Sequence, residues 1–323
     1  MLQLTRVLAV LVMLVLAKAG YGQLTPHHTL WQYNLLQINP AHAGNLYSLD
    51  ASVNYRKQWL ELSGSPTTAQ ASIGAPLYII NSGAYLGLAY DELGLRQNTS
   101  LRGSFAHRLL RRDRLSVSLG VGGSYHQTRL DAAALRTDDG IYEGGAIDHQ
   151  DPRLGIAELS GTTIGFDAGV EVKFDTYTFG ASVREINQPL AELEPGTATW
   201  ARIGTFYAQG LIPVAELVEL DASAIAYSDF VSLQTQLGVT AWYNNNIGVG
   251  SAVRGLGTST LDAVSLVLGW RPNPSVTVAY GYDYGISDLS GVHDNTHEFT
   301  FRYVMSTPIG KGKLPPVIFN PRL

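Results

Sequence analysis

Along most of this chain apolar and polar residues alternate one by one, which in an extended strand sends successive side chains to opposite faces. Between positions 115 and 125, Leu115, Val117, Leu119, Val121 and Tyr125 share one face, while Ser116, Ser118, Gly120, Gly122 and Ser124 share the other. The stretch 217–227 sets Val218, Leu220, Ala222, Ala224 and Ala226 against Glu219, Asp221 and Ser223, and 231–241 sets Leu233, Leu237 and Val239 against Ser232, Gln234 and Gln236. Such segments recur near 49–60, 67–77, 83–91, 98–109, 115–126, 162–174, 176–186, 200–210, 217–227, 231–242, 246–254, 262–271, 275–284 and 296–305. They predict about 14 strands of about ten residues, and ten residues at roughly 3.3 Å each, tilted near 45°, span about 23 Å, close to the apolar band of a transmembrane barrel. The predicted fold class is therefore all-β, a transmembrane antiparallel β-barrel with lipid on one face of each strand and a polar lumen on the other. Helical periodicity is confined to a short stretch around Leu130 to Leu135. A soluble β-sandwich is the rival architecture, but the polar faces are small and uniform for a second solvent-exposed sheet surface.

Connection lengths agree with the barrel. With the N-terminus on the inner side, the inner turns fall at 79–82, 111–114, 174–177, the Pro213 region, 243–246 and 271–274, while the outer side receives the longer segments 127–161, 187–199, 255–261 and 285–295. The outer connections at 62–65 and Ser228 to Asp229 are short, so the alternation is incomplete. Aromatic residues gather near strand ends, at Tyr55, Trp59, Tyr78, Trp200, Tyr227, Phe230, Trp242, Tyr243, Trp270, Tyr280, Tyr282 and Tyr284. The pattern predicts interfacial girdles.

Before the first strand the pattern changes. Arg6, the apolar run Val7 to Ala17 and the small residues Ala17, Ala19, Gly20 and Gly22 form a secretory signal peptide, too short before Lys18 for the roughly 20 residues of a membrane span. Cleavage after Ala19 or Gly22 fits, and the division expected is 1–22 leader, 23–48 periplasmic N-terminal segment, 49–305 barrel and 306–323 periplasmic tail. There are no cysteines, hence no disulfide and no lipoprotein acylation site. The net charge of −5 removes nucleic acid as a partner.

Gln32-Tyr33, Asn39-Pro40-Ala41-His42-Ala43-Gly44, Tyr55-Arg56-Lys57-Gln58-Trp59 and Gly64-Ser65-Pro66-Thr67-Thr68 follow one another in the order that opens the PorP/SprF family of type IX secretion, which this sequence resembles. Asp91-Glu92-Leu93-Gly94, the stretch 282–290, Thr296-His297-Glu298 and the terminal Phe319-Asn320-Pro321-Arg322-Leu323 continue the resemblance to the end of the chain. His42 departs from it, standing where an aromatic is expected, and the loop 127–161 is long and acidic. The resemblance implies a Gram-negative outer-membrane barrel beside the type IX translocon, with outer-membrane lipid, periplasmic lipoproteins of the machine and the C-terminal sorting domain of secreted adhesins as partners. Its residues supply the partner-binding candidates: Asn39, Pro40, Gly44, Arg56, Gln58, Trp59, Phe319, Asn320, Pro321 and Arg322.

The same residues also have a plainer reading. Pro40 restricts Asn39 to extended geometry and Gly44 permits a left-handed turn, so the segment is a rigid bend, serving either as a plug or tether inside the barrel or as a docking ledge at its mouth. Arg56, Gln58 and Trp59 suit a girdle or a lumen hydrogen-bond network as well as recognition. The tail after 305 offers a segment for β-augmentation or groove binding, or folds back into the lumen.

No catalytic constellation stands out. His107, His126, His149, His293 and His297 lie near serines without a spacing that selects a triad. His293, Asp294, His297 and Glu298 read as a polar loop rather than a metal site, and Asp138, Asp139, Glu143, Asp148 and Asp151 lack the ligand order of a calcium loop. Gly120-x-Gly122-Gly123 and Gly255-x-Gly257 open no helix, as a nucleotide site requires. A non-enzymatic secretion component without cofactor is expected, and a passive porin-like channel is the alternative that the same polar inner face permits.

Overall fold

The computed structural model describes residues 27–60, 62–142, 147–151, 158–194, 196–255, 261–286 and 295–305. In chain order the strands are β1 (Asp50–Lys57), β2 (Thr67–Leu77), β3 (Ser82–Leu93), β4 (Arg96–Arg111), β5 (Leu115–Leu130), β6 (Leu159–Phe174), β7 (Tyr177–Arg184), β8 (Leu190–Leu193), β9 (Gly196–Thr199), β10 (Ile203–Ala215), β11 (Val218–Ser228), β12 (Leu233–Tyr243), β13 (Ile247–Arg254), β14 (Ala263–Asn273), β15 (Val276–Gly285) and β16 (Thr296–Val304). All but β8 and β9, which pair with each other in a separate hairpin, join antiparallel in one sheet, and β1 pairs with β16 from Asp50↔Val304 to Lys57↔His297, closing a barrel of 14 strands. Closure leaves no open sheet edge along the paired length of the wall, which is what a strand structure needs in lipid.

Side-chain alternation sorts as the sequence predicts. Leu119, Val121 and Tyr125 of β5 point outward, Val121 at 63% exposure, whereas Ser116, Ser118 and Ser124 face in and are buried. Phe206, Leu237, Val239, Leu266 and Leu268 continue the apolar exterior. Trp270 and Tyr243 lie outward as a girdle requires, but Trp242 and Tyr227 point into the lumen and are buried there.

Strand limits differ where alternation is a poor guide. Strands β4, β5 and β6 each run 16 residues rather than about ten, because past the apolar band both faces turn polar, as at Gln97, Asn98 and Thr99. Pro213 lies within β10 at a register shift rather than in a turn, tolerated because a bulge does not require its missing N–H; the turn is at 216–217. Gln58 and Trp59 fall beyond β1, in the connection to β2. Within 187–199 the chain forms the hairpin β8–β9, whose four-residue strands are too short to register as alternation.

At one end every connection is short, several of them turning through left-handed Asn81, Asp175, Asn244 and Asn245, residues whose short polar side chains tolerate that geometry, while short connections at 94–95 and 229–232 share the other end with the long ones. Hairpin β8–β9 folds into the mouth there: a Cβ on lumen-facing Gly161 of β6 would sit 2.2 Å from the Glu192 carbonyl oxygen, so only glycine leaves room for the hairpin.

Candidate functional site: the plugged lumen

The lumen holds the chain's own beginning. From Thr29 to Leu46 every residue is buried, in a run of short helical turns at 31–33, 35–38 and 40–45 that enters β1 from the short-turn end. The part of the expected periplasmic segment that is described, 27–48, is thus inside the barrel; Trp31, Leu35, Leu36 and Ile38 need apolar cover, which the inner faces of Ile203, Ile225 and Tyr85 provide. Of the two readings of the Asn39–Gly44 bend, the plug is the one that forms.

Since these turns are too short to satisfy their own backbone, wall side chains do so. Ser118 Oγ donates to Ala41 O at 2.8 Å, Ser182 Oγ to Ile38 O at 2.8 Å, Arg108 Nε to Gly44 O at 2.9 Å and Gln236 Nε2 to Thr29 O at 3.0 Å. Asn39 caps the turn that follows it, accepting from Ala41 N at 2.9 Å while its Nδ2 donates to Val170 O at 2.9 Å. His42 Nδ1 lies 2.8 Å from Glu171 Oε2, and Asn45 donates to Glu171 Oε1 at 2.8 Å. The residue that departed from the family pattern is therefore the partner of a buried wall carboxylate.

Arg56 organises the upper lumen. It sits across the β1–β16 ladder from Glu298, and its two terminal nitrogens reach Glu298 Oε2 and Asp283 Oδ2, each at 2.7 Å. Arg254 adds a contact to Asp283, Asn54 donates to Glu298 Oε1 at 2.8 Å, and the plug enters through Thr29 N to Glu298 Oε2 at 2.7 Å. Arg56 and Glu298 are 1% and 0% exposed, so their charges must be met within the cluster, Arg56 by Glu298 and Asp283 and Glu298 by Arg56 with His28 at 3.4 Å.

A third cluster lies under the hairpin. Arg102 pairs with Asp167 at 2.9 Å and Glu185 at 2.7 Å, and Ser100 Oγ, His126 and Glu185 form a hydrogen-bonded series of 2.8 and 2.9 Å, with Trp200 stacked on the His126 ring. The carboxylate is shared with Arg102 and Ser124, so this series serves to clasp the loop after β7, where Glu185 takes a positive φ of 53°. Burial alone would raise the Glu185 pKa; the His126 hydrogen bond and the Arg102 charge outweigh it and hold it at about 2. A depressed carboxylate stabilises above its unfolded value and loses that contribution as pH falls through the folded one. Acidification from about pH 4.5 to 2 is therefore expected to release the clasp, read as a change in tryptophan fluorescence that Trp200→Phe abolishes.

Between plug and hairpin remains a cavity of about 270 Å³, lined among others by Trp31, Ile38, Arg96, Arg102, Glu185 and Trp200, and opening toward the long-loop end. Of the candidates named from sequence, Asn39, Pro40, Gly44 and Arg56 come together in the buried plug and its anchor. Gln58 and Trp59 lie in the β1–β2 connection outside it, and Phe319, Asn320, Pro321 and Arg322 lie outside the described residues. Sequence reasoning missed the role of Glu171, named Asp283 only within the family stretch, and read His297 and Glu298 as a polar loop where the structure places them in β16 with Glu298 buried; a charge on the lumen face of a wall strand is the signal that marks all three carboxylates.

Closed wall, apolar exterior and an interior filled by the N-terminal segment define an outer-membrane-type β-barrel with a built-in plug. Residues 21–303 match the family model of the type IX secretion system membrane protein PorP/SprF. The chain belongs to that family. Among solved structures it is similar to a Pseudomonas aeruginosa FadL homologue, at 13% identity over 88% of this chain and 95% of that one with a TM-score of 0.49. It is also similar to the Acinetobacter baumannii outer membrane protein Omp33, at 8% identity over 81% and 100% of the two chains with a TM-score of 0.43. The toluene transporter TodX of P. putida gives 11% identity over 83% and 92%, with a TM-score of 0.43. No match was found among curated proteins.

Proposed function

We propose that this protein is a non-enzymatic scaffold of the type IX secretion and gliding machinery in a Gram-negative outer membrane, its termini toward the periplasm. In this reading it assists export or surface anchoring of particular large adhesins by contacts with their C-terminal sorting domain and with periplasmic lipoproteins of the machine. One observation carries it beyond family membership: the lumen is occupied from Thr29 to Leu46 by residues locked to the wall through buried hydrogen bonds and charges. Such a barrel offers partners its two ends rather than solutes a path.

Two measurements test the reading. The purified protein in planar bilayers is expected to stay electrically silent, where a passive porin of this strand number conducts steadily. Deleting the gene is expected to abolish surface display of its adhesin and gliding; unchanged display and motility would sink the proposal, whatever the bilayer shows.

A further inference from the structure

The short-turn end of the barrel gathers positive charge on one side. Arg108 and Arg111 end β4, Arg112 and Arg114 occupy the turn into β5, and Lys173 lies near the end of β6. Arg108, Arg111 and Lys173 converge on a single ring, with Tyr47 at 5.6, 5.7 and 5.8 Å from their charged groups. The neighbouring turns are joined by Asp175 N donating to Arg114 O at 2.8 Å, so all five cations belong to one continuous surface. Only two exposed carboxylates, Asp113 and Asp175, lie in these elements; Glu171, further up β6, is buried and held by His42 and Asn45.

Anchoring the plug accounts for part of this. Arg108 holds the carbonyls of Gly44 and Leu46, and Tyr47 contributes its ring face to the cations. It does not account for Arg112 and Arg114, exposed in the turn. Like charges packed this closely repel, and a chain of net charge −5 has carboxylates to spare elsewhere, so the crowding is a specific local arrangement.

Direction decides the kind of counterpart. Arg108 pairs in register with Ser118, and Arg111 and Lys173 with Ser116, both lumen-facing serines, so these three point toward the axis of the mouth, while Arg112, paired with Leu115 across the turn, stands on its outer rim. The chain's own tail, with Lys311, Lys313 and Arg322, carries the wrong sign to cover them. We infer that the collar formed by Arg108, Arg111, Arg112, Arg114, Lys173 and Tyr47 is a docking surface for an acidic segment of a partner protein at the short-turn mouth. The inference deepens the proposed function, naming the chemistry of the partner met at that end, and it rests on that reading.

The test uses the full chain in detergent and a fluorescently labelled oligoglutamate peptide, titrated by anisotropy at about 150 mM salt, where charges beyond about 8 Å are screened. Saturable binding is expected. The double variant Arg112→Ala/Arg114→Ala should weaken it roughly fivefold, the scale of two exposed ion pairs, with a further loss on adding Lys173→Ala. The control Arg129→Ala/Arg136→Ala, at the opposite end, should leave it unchanged. Absence of saturable binding, or equal loss in the control, overturns the inference. So does tighter, Arg112- and Arg114-dependent binding to phosphatidylglycerol vesicles, which assigns the collar to lipid. The deletion phenotype is read separately: unchanged display removes the secretion role while oligoglutamate binding stands, and lost display without binding removes only the collar.

Discussion

Replacing Gly83 or Gly120 by valine is expected to convert an electrically silent barrel into a conducting one. Both glycines face the lumen where plug backbone presses on the wall. A Cβ at Gly83 would lie 1.8 Å from Ala43 O, and one at Gly120 2.3 Å from Ala41 N and 2.4 Å from the Pro40 carbonyl carbon. Backbone atoms cannot swing aside as a flexible side chain does, so overpacking here costs about 1–3 kcal/mol or more per site. Wall and plug do not share the strain equally. The wall is a closed ladder of hydrogen bonds, whereas the plug is held by side chains, so the plug yields first. Stepwise currents in planar bilayers and solute uptake by liposomes check the outcome, with Gly103→Ala, whose added Cβ has its nearest neighbour at 3.8 Å, as the silent control. A folded Gly83→Val barrel that remains silent would show that the plug tolerates displacement of its 40–44 turn without leaving.

The second large effect is thermodynamic. Arg56→Ala removes the cation shared by Glu298 and Asp283 and leaves Glu298, 0% exposed, without its arginine. Breaking one partner of a buried charged network costs about 3–5 kcal/mol; here Glu298 keeps hydrogen bonds from Thr29, Leu30 and Asn54, with His28 Nδ1 at 3.4 Å, but loses its arginine, so the lower part of that range is expected. The expected reading is a large downward shift in the urea midpoint at which the folded, heat-modifiable form is lost. Glu298→Gln combined with Arg56→Ala should cost less than the two single changes added together, since neither then strands the other. Strict additivity would mean that the pair observed at 2.7 Å carries no coupling. The plug links this effect to the first: Thr29 N and Leu30 N both donate to Glu298, so loosening the network also loosens the upper end of the plug.

How much of this was legible in the residues differs from element to element. Alternation in 115–125 assigned Leu119, Val121 and Tyr125 to the exterior and Ser116 and Ser118 to the lumen, and the structure places them so. The strand number followed from the same rule, because lipid outside and polar groups inside enforce a period of two along every wall strand. The rule weakened where its cause stops. Beyond the membrane band both faces of β4 and β5 carry polar residues, so their true length of 16 residues left no apolar–polar alternation. Trp242 and Tyr227 were misplaced because an aromatic residue near a strand end has the same composition whether it meets lipid or the plug.

The plug itself marks the boundary between the two kinds of information. Local chemistry determined that Asn39-Pro40 starts a bend, since Pro40 restricts its predecessor; the left-handed turn expected at Gly44 does not form, and Gly44 lies inside the 40–45 turn where a Cβ would sit 2.8 Å from Ser118 Cβ. Whether that bend projects from the mouth or fills the lumen depended on partners distant in sequence: Asn39 meets Val170 and Tyr207, Asn45 meets Ser118 and Glu171, and Thr29 meets Asp283 and Glu298. A sequence read locally carries the periodicity of a wall, because each strand faces the same two environments. It does not carry which wall charge a buried turn will meet, because that juxtaposition exists only once the barrel has closed around it.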